Sequence, residues 1–560
     1  MIIRELQRLH RAHGFVSRGE LSEVAARLGV PLYRVHEVAS FFPQFRTSPP
    51  PEVAVRVCRD MTCRLRGAAA VLRACEAVAG QQPAGRLAVE GVSCLGRCDR
   101  APALSVELHR PGRESETRLY TGHAAAESRA LVHGLVAGGA PPSDLDANHD
   151  DGRPWEMDVY RGKAEYTAAC RLAEQLRAPA AEAETARRVV IERLRVAGLL
   201  GMGGAGGRTH KKWSDVLTAA GDEKYVVCCG DESEPGTFKD REILLRAPHL
   251  VLEGVLIAGL VVGARRGYVY IRHEYPEQIA RLRAAIADAE ARRLLSFPVE
   301  VFVSPGGYIC GEQTALIQVL EDKRAEPRNR PPELQTNGLW DKPTLVNNVE
   351  TLAWVPSLLL ARATASLRLF AVSGDVEAPG VYEVPAGITL GALIARAGGM
   401  RGGRAFKAVA PSGASGGFLP RYLDGPAGRL DILEWPLDVQ GARDLGLMLG
   451  GGIVVYSDEA DLVDQALGCL EFFRNESCGK CAPCRIGTQK LVELATRIRD
   501  GAVPTEALYG AEPAVGRTLA ELANAMRDTA ICGLGTVAAN PMRTLLQHFQ
   551  ADVERRAGQP

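Results

Sequence analysis

Four cysteines, Cys478, Cys481, Cys484 and the distant Cys532, constrain this chain more than any other feature, because their thiolates are expected to converge on one centre. Soft thiolates closely spaced and completed from afar suit the four irons of a cubane cluster, [4Fe-4S]. The local run is Ser-Cys-Gly-Lys-Cys-Ala-Pro-Cys-Arg, and the fourth thiolate sits in Ile-Cys-Gly-Leu-Gly, where small residues let the backbone approach sulfide. Zinc also takes four thiolates, but its sites usually pair C-x2-C units, so the run favours iron and sulfur. A chain with such a centre carries single electrons.

The 560 residues are long enough for about three or four domains at ~100–200 residues each. Lys plus Arg equals Asp plus Glu at 67 each, so no global field draws the chain to nucleic acid or an anionic membrane. The longest apolar stretch, Leu250 to Ala264, is interrupted by Glu253 and too short to span a bilayer, which predicts a buried core helix and no direct membrane insertion. Fourteen cysteines without an export signal point to a reducing, cytoplasmic setting and to metal ligation over disulfides.

The expected organisation is α/β and multidomain. Residues 1–45 read as three helices: Leu6 and Leu9 share a face, Gly14 stops the first, and Ser17 with Glu20 forms a capping box for the second. Residues 46–136 read as a small α/β domain, with strands near 53–57, 87–92, 102–107 and 117–121 around a helix at 67–79. The Gly- and Pro-rich stretch 137–159 reads as a linker, so a fragment ending near Gly138 is expected to fold alone. Strands at 225–229, 267–271 and 299–303 alternate with helical segments at 185–197, 240–263 and 276–294, the pattern of a parallel sheet over 160–365. Residues 366–445 form a small α+β module and 446–560 a helical bundle.

In the N-terminal domain, Cys58-x4-Cys63 and Cys94-x3-Cys98 each follow a strand. Two thiolate pairs on neighbouring loops suit a [2Fe-2S] centre, one pair per iron, with a four-cysteine zinc site as the alternative. Cys75, Cys170 and Cys469 have no partner at ligand spacing and read as buried small hydrophobes. The run Gly198 to Trp213 holds Gly201, Gly203, Gly204 and Gly206 and then Lys212, a loop able to bring N–H groups and a cation to a phosphate. Asp231, Glu232, Ser233 and Glu234 come straight off a hydrophobic strand, at the carboxyl end of the sheet where α/β ligands bind. Tyr308 to Gln313 and Asn347 to Thr351 offer further polar groups to the same crevice.

On these motifs, residues 160–560 resemble the flavoprotein subunit of respiratory complex I and of related NAD-linked formate dehydrogenases and hydrogenases, and 1–135 resemble its thioredoxin-fold [2Fe-2S] partner, fused in front. The resemblance implies a Rossmann-like domain holding FMN through Gly201, Gly203, Gly204, Gly206, Lys212, Asp231, Glu232, Ser233, Tyr308, Gly311, Asn347, Asn348 and Thr351. It also implies NAD(H) near Glu234, catalytic roles for Glu234 and Glu312, and a β-grasp (SLBB-type) module. The fusion and the run Pro411 to Pro420 look most like the diaphorase subunit of a cytoplasmic formate dehydrogenase, whose partner is a molybdenum or tungsten subunit with further iron–sulfur clusters.

The chain departs from that pattern at Met202, Gly207, Arg208, Asp215, Cys229, Gln313 and Glu333. Three of these replace phenylalanines of the dinucleotide side, while Arg208 and neutral Gln313 lower repulsion toward a phosphate and open the site to NADPH. A flavin is useful because a hydride carries two electrons and a cluster accepts one. The rival expectation is an electron-transfer adaptor whose dinucleotide chemistry is lost.

Overall fold

The computed structural model describes residues 1–110, 113–139, 141–145, 154–360, 367–425 and 428–557. At its centre four parallel strands lie in the order Val299–Ser304, Arg266–Arg272, Tyr225–Gly230, Thr344–Asn348. Alternate residues of these strands point to opposite faces and enter two different cores. Val226, Cys228, Val269, Ile271 and Leu345 pack against the helices Pro248–Val262 and Val349–Leu359. Those helices approach closely enough that a side chain at Gly254 would strike the Leu352 carbonyl.

The other face, Tyr225, Val227, Tyr268, Tyr270, Phe302 and Val346, shares one core with both ends of the chain. The N-terminal helices Ile2–His13, Arg18–Leu28 and Leu32–Phe41 form as the sequence suggests, with both bonds of the Ser17/Glu20 capping box in place and Gly14 ending the first at φ 76°. Ile3, Leu6, Val35 and Val38 join that shared core. The Ile3 N–H donates to Asp322 at 3.0 Å and the Gln7 amide to the Val303 carbonyl at 3.0 Å. A fragment ending near Gly138 would expose this apolar face.

The thioredoxin-like sheet runs Leu87–Val92, Val53–Cys58, Ala103–Leu108, Glu116–Thr121 over its own core of Val55, Val57, Val71, Leu104 and Val132. The segment read as one helix over 240–263 is two, Lys239–Arg246 and Pro248–Val262, bent by 97°. Pro248 disfavours helical geometry at Ala247, which sits at φ −131°. Among the described residues no single helix is long and apolar enough to cross a membrane.

A five-stranded sheet follows, ordered Gly380–Pro385, Leu367–Gly374, Gly452–Ser457, Phe406–Ala414, Leu419–Pro420. Its middle strand, Gly452–Ser457, belongs to this sheet and not to the C-terminal bundle, which corrects the boundary expected at 445. The strand's pairing is with residues 371–374 and 406–410, a contact that local pattern does not reveal. The helices Leu462–Glu476, Ala482–Arg499, Ala514–Thr529 and Asn540–His548 then pack through Leu467, Leu491, Met526 and Leu545. The start of the β-grasp module at 366 and linker residues 146–153 lie outside the described residues. Cys75 and Cys469 are buried, but Cys170 is exposed on the helix Thr167–Gln175, contrary to its reading as a core hydrophobe.

Candidate functional site

The carboxyl ends of the central strands deliver Asp231, Ser304 and Asn348 to one crevice, with the glycine loop across from them. Gly201 N–H donates to the Gly207 carbonyl at 2.7 Å and Met202 N–H to the Thr351 hydroxyl at 2.9 Å, so Thr351 positions the loop. Gly204 and Gly206 sit at φ 102° and 59°, conformations that side chains resist. A side chain at Gly311 would meet the Asp231 carbonyl at 2.9 Å, which explains glycine there.

Asp231 is buried, and among the described residues its Oδ2 has no hydrogen-bond partner, while Oδ1 accepts from Ser233. Burial pushes its carboxyl up to about 6. An orphaned buried oxygen costs on the order of 1–3 kcal/mol, so the site fits a ligand hydroxyl donated to it. Lys212 Nζ donates to the Gln313 side chain at 3.2 Å and the Val346 carbonyl at 2.8 Å, both neutral acceptors, and has no carboxylate partner among the described residues. Burial and then Arg330 push it down to about 8. A half-buried cation without a carboxylate partner suits an anionic ligand group. Cys229 lies between the two features, its thiol pushed up to about 12 by burial and by Asp231.

Four expected site residues have other work. Glu232 accepts from the Asp240 and Arg241 N–H groups at 2.9 and 3.0 Å, turning its carboxylate to a helix start and away from a ligand. Asn347 accepts from the Trp213 ring at 2.9 Å, and Asn348 caps the helix Val349–Leu359 while donating to Asp240. Glu312 caps the helix Gln313–Leu320, accepting from Thr314 and Ala315 N–H at 2.9 Å, and pairs with Arg330 at 3.0 Å. Both of its oxygens are engaged, so its contacts suit a positioning role in place of the catalytic one expected.

Glu234 keeps its place at the crevice. It accepts from Tyr308 Oη at 2.7 Å and from Ser415 N–H and Oγ at 2.8 and 3.0 Å, and burial pushes it up to about 7. Ser415 is a site residue that sequence reasoning does not single out, although the run 411–420 carries it. The Asn540 side chain in turn donates to the Ser415 carbonyl at 2.8 Å, joining the C-terminal helices to the site. Of the positions that replace phenylalanines, Gly207 and Glu333 are exposed and Asp215 is half-buried: Gly207 has open space around its Cβ position, Asp215 pairs with Lys211 at 3.0 Å, and Glu333 lies 3.6 Å from Arg330.

The parallel register pairs Cys58 with Val92, which sets the loops bearing Cys63 and Cys94 side by side. All four thiols there are buried, and Cys94 Sγ lies 3.6 Å from Cys98 Sγ, a pair fit for one iron. At the other end, Cys481 precedes the helix Ala482–Arg499 with Cys484 in its first turn, and Cys532 precedes Gly533–Val537. Each of Cys478, Cys484 and Cys532 feels the charge of others of the four, although among the described residues no three such groups close in as tightly as on a single ion. Tyr308 links crevice and cluster, packing edge-on to Phe472 at 5.0 Å and donating its N–H to Glu476 at 2.7 Å. Glu476 also accepts from Ser93, beside Cys94.

The model of the Nuo51 FMN-binding domain matches residues 194–357, that of the thioredoxin-like [2Fe-2S] ferredoxin 1–120, that of the NADH-ubiquinone oxidoreductase-F iron-sulfur binding region 464–556, and that of the SLBB domain 369–417. One NADH-quinone oxidoreductase subunit of Rhizobium meliloti is 40% identical over 385 residues, covering 65% of this chain and 87% of the relative. The NADP-reducing hydrogenase subunit HndC of Solidesulfovibrio fructosivorans is 38% identical over 386 residues, covering 65% and 75%. A crystal structure of an NAD+-reducing [NiFe]-hydrogenase in the air-oxidized state aligns at a TM-score of 0.82 and 32% identity, over 98% of this chain and 93% of that one.

Proposed function

The chain belongs to the family of the NADH-quinone oxidoreductase flavoprotein subunit with a thioredoxin-like [2Fe-2S] ferredoxin fused in front, and from that premise we propose that it relays electrons between NAD(H) and a partner subunit holding the terminal substrate. It is an oxidoreductase subunit of a larger complex, and FMN, NAD(H), [2Fe-2S] and [4Fe-4S] are its cofactors. Bound flavin supplies the exchange between a hydride donor and one-electron centres. The observation that carries the residue assignment is the unpartnered Asp231 Oδ2 in the same crevice as the uncompensated Lys212 cation.

In this reading Lys212 and Arg330 hold the flavin phosphate against the glycine-loop N–H groups, and Asp231 Oδ2 accepts a ribityl hydroxyl. Tyr308 and Ser415 hold Glu234 where the dinucleotide enters, and Glu234 Oε2 can gain or lose a proton near neutral pH. Cys58, Cys63, Cys94 and Cys98 ligate the [2Fe-2S] centre, and Cys478, Cys481, Cys484 and Cys532 the [4Fe-4S] centre. Asp231→Ala is expected to lose FMN while iron and sulfide stay at native levels. Full flavin content in that variant would show the pocket to be elsewhere.

The finer reading is the diaphorase subunit of a cytoplasmic NAD-linked formate dehydrogenase, with a molybdenum or tungsten partner. The run Pro411 to Pro420 supports it. The fused organisation does not discriminate, since the hydrogenase structure aligns along nearly the whole chain. Purification from the native host with metal analysis decides: molybdenum or tungsten in the complex supports formate chemistry, and nickel overturns it.

A further inference from the structure

Where the Cys94–Asp99 loop meets the central domain, Arg97, Arg241 and Arg272 are all buried. A buried guanidinium persists only where its charge and donors are matched. Arg241 is matched by Asp99, at 3.0 and 2.8 Å, and by Glu242 at 2.8 Å. Arg272 is used differently. Its Nη1 donates to the Glu232 carbonyl and its Nη2 to the Cys94 carbonyl, both at 2.6 Å, while Nε and Nη2 reach Glu274 at 3.0 and 2.9 Å. The ring of Tyr275 lies 5.1 Å from the same guanidinium. One planar fork thus spans the loop of a thiolate pair and the loop of the flavin crevice, a geometry that a lysine's single ammonium cannot reproduce.

We propose that Arg272 is a positioning residue for the [2Fe-2S] centre: it locks the Cys94 loop against the flavin crevice and sets a buried positive charge beside that centre, making it easier to reduce. The proposal rests on the assignment of Cys58, Cys63, Cys94 and Cys98 to [2Fe-2S]. Adding one electron makes the centre one unit more negative, and a nearby cation stabilises that state more than the oxidised one. Glu274, paired with the same guanidinium through Nε and Nη2, opposes the effect and keeps it moderate.

The two groups therefore push the centre in opposite directions, which loosening of the loop would not do. In the full chain loaded with both centres, a redox titration followed by electron paramagnetic resonance reads each centre separately, with the [4Fe-4S] signal as internal control. Arg272→Gln should lower the equilibrium constant for reduction of [2Fe-2S] about tenfold or more, equal to about 59 mV for one electron. Glu274→Gln should raise it, and Arg272→Lys should restore part of the loss. A native-like [2Fe-2S] potential in Arg272→Gln, or equal shifts in both centres, overturns the proposal. Should Arg272→Gln fail to retain the centre, Glu274→Gln carries the test, and no rise there overturns it. A native chain with no [2Fe-2S] signal after reconstitution overturns the ligand assignment itself, and the proposal with it.

Discussion

The two thiolate sets are built for opposite exposures. Cys58, Cys63, Cys94 and Cys98 are all shut away from solvent, whereas of the C-terminal four only Cys484 is buried. The first set is enclosed between two domains and clamped by arginines. The second lies at helix starts near the surface, flanked by Ile486 and Ile531, which are 54% and 39% exposed. An enclosed centre exchanges electrons through this chain alone. An open one can be approached by the cofactors of another subunit, so electrons that leave the chain are best placed to leave there.

The sharpest break of that contrast is genetic. Cys481→Ser should remove about four irons while FMN and the [2Fe-2S] centre remain, since the two thiolate sets share no residue. Loss of all iron, or zinc in its place, would show the two sites not to be independent. The next effect is kinetic: a water-soluble iron chelator should strip the C-terminal centre on the order of tenfold faster than the N-terminal one, because release from the enclosed site requires local opening. Equal rates, followed by the separate spectral signals, would erase the distinction.

The same contrast of closed and open runs along the crevice. Asp231 is buried and Lys212 half-buried, while Gly207, Asp215 and Glu333 leave the rim polar. A stacked base is worth about 1–3 kcal/mol per aromatic ring, so Gly207→Phe, whose Cβ would meet nothing within 4 Å, should lower the KM for NADH about five- to hundredfold with a smaller change in kcat. Rapid-mixing measurements of flavin reduction by NADH and NADPH check this. No reduction by either in flavin-replete native protein would favour the adaptor reading.

Motifs whose meaning is local were legible in the sequence. The Ser17 capping box and the strands before Cys58 and Asp231 needed only spacing and periodicity. What escaped depends on residues far apart in the chain. Ser415 meets Glu234 across 181 positions, and Arg272 meets Cys94 across 178. The helix-start contacts of the acids at 232 and 312 were not legible, because a carboxylate that caps a helix and one that binds a ligand look alike in sequence. Gly452–Ser457 was assigned to the wrong neighbour for the same reason: its partners are spatial.

The N-terminal part meets the rest of the molecule through the apolar face of its first helices and, separately, through Arg64 and the loop bearing Cys94 and Asp99. Two attachments to one body act bivalently. While either holds, the other rebinds at an effective concentration on the order of millimolar, so each need contribute only about 4 kcal/mol on its own to stay closed. Such avidity lets the Asp99–Arg241 and Arg64–Asp464 contacts remain polar and separable without the thioredoxin-like domain drifting from the crevice.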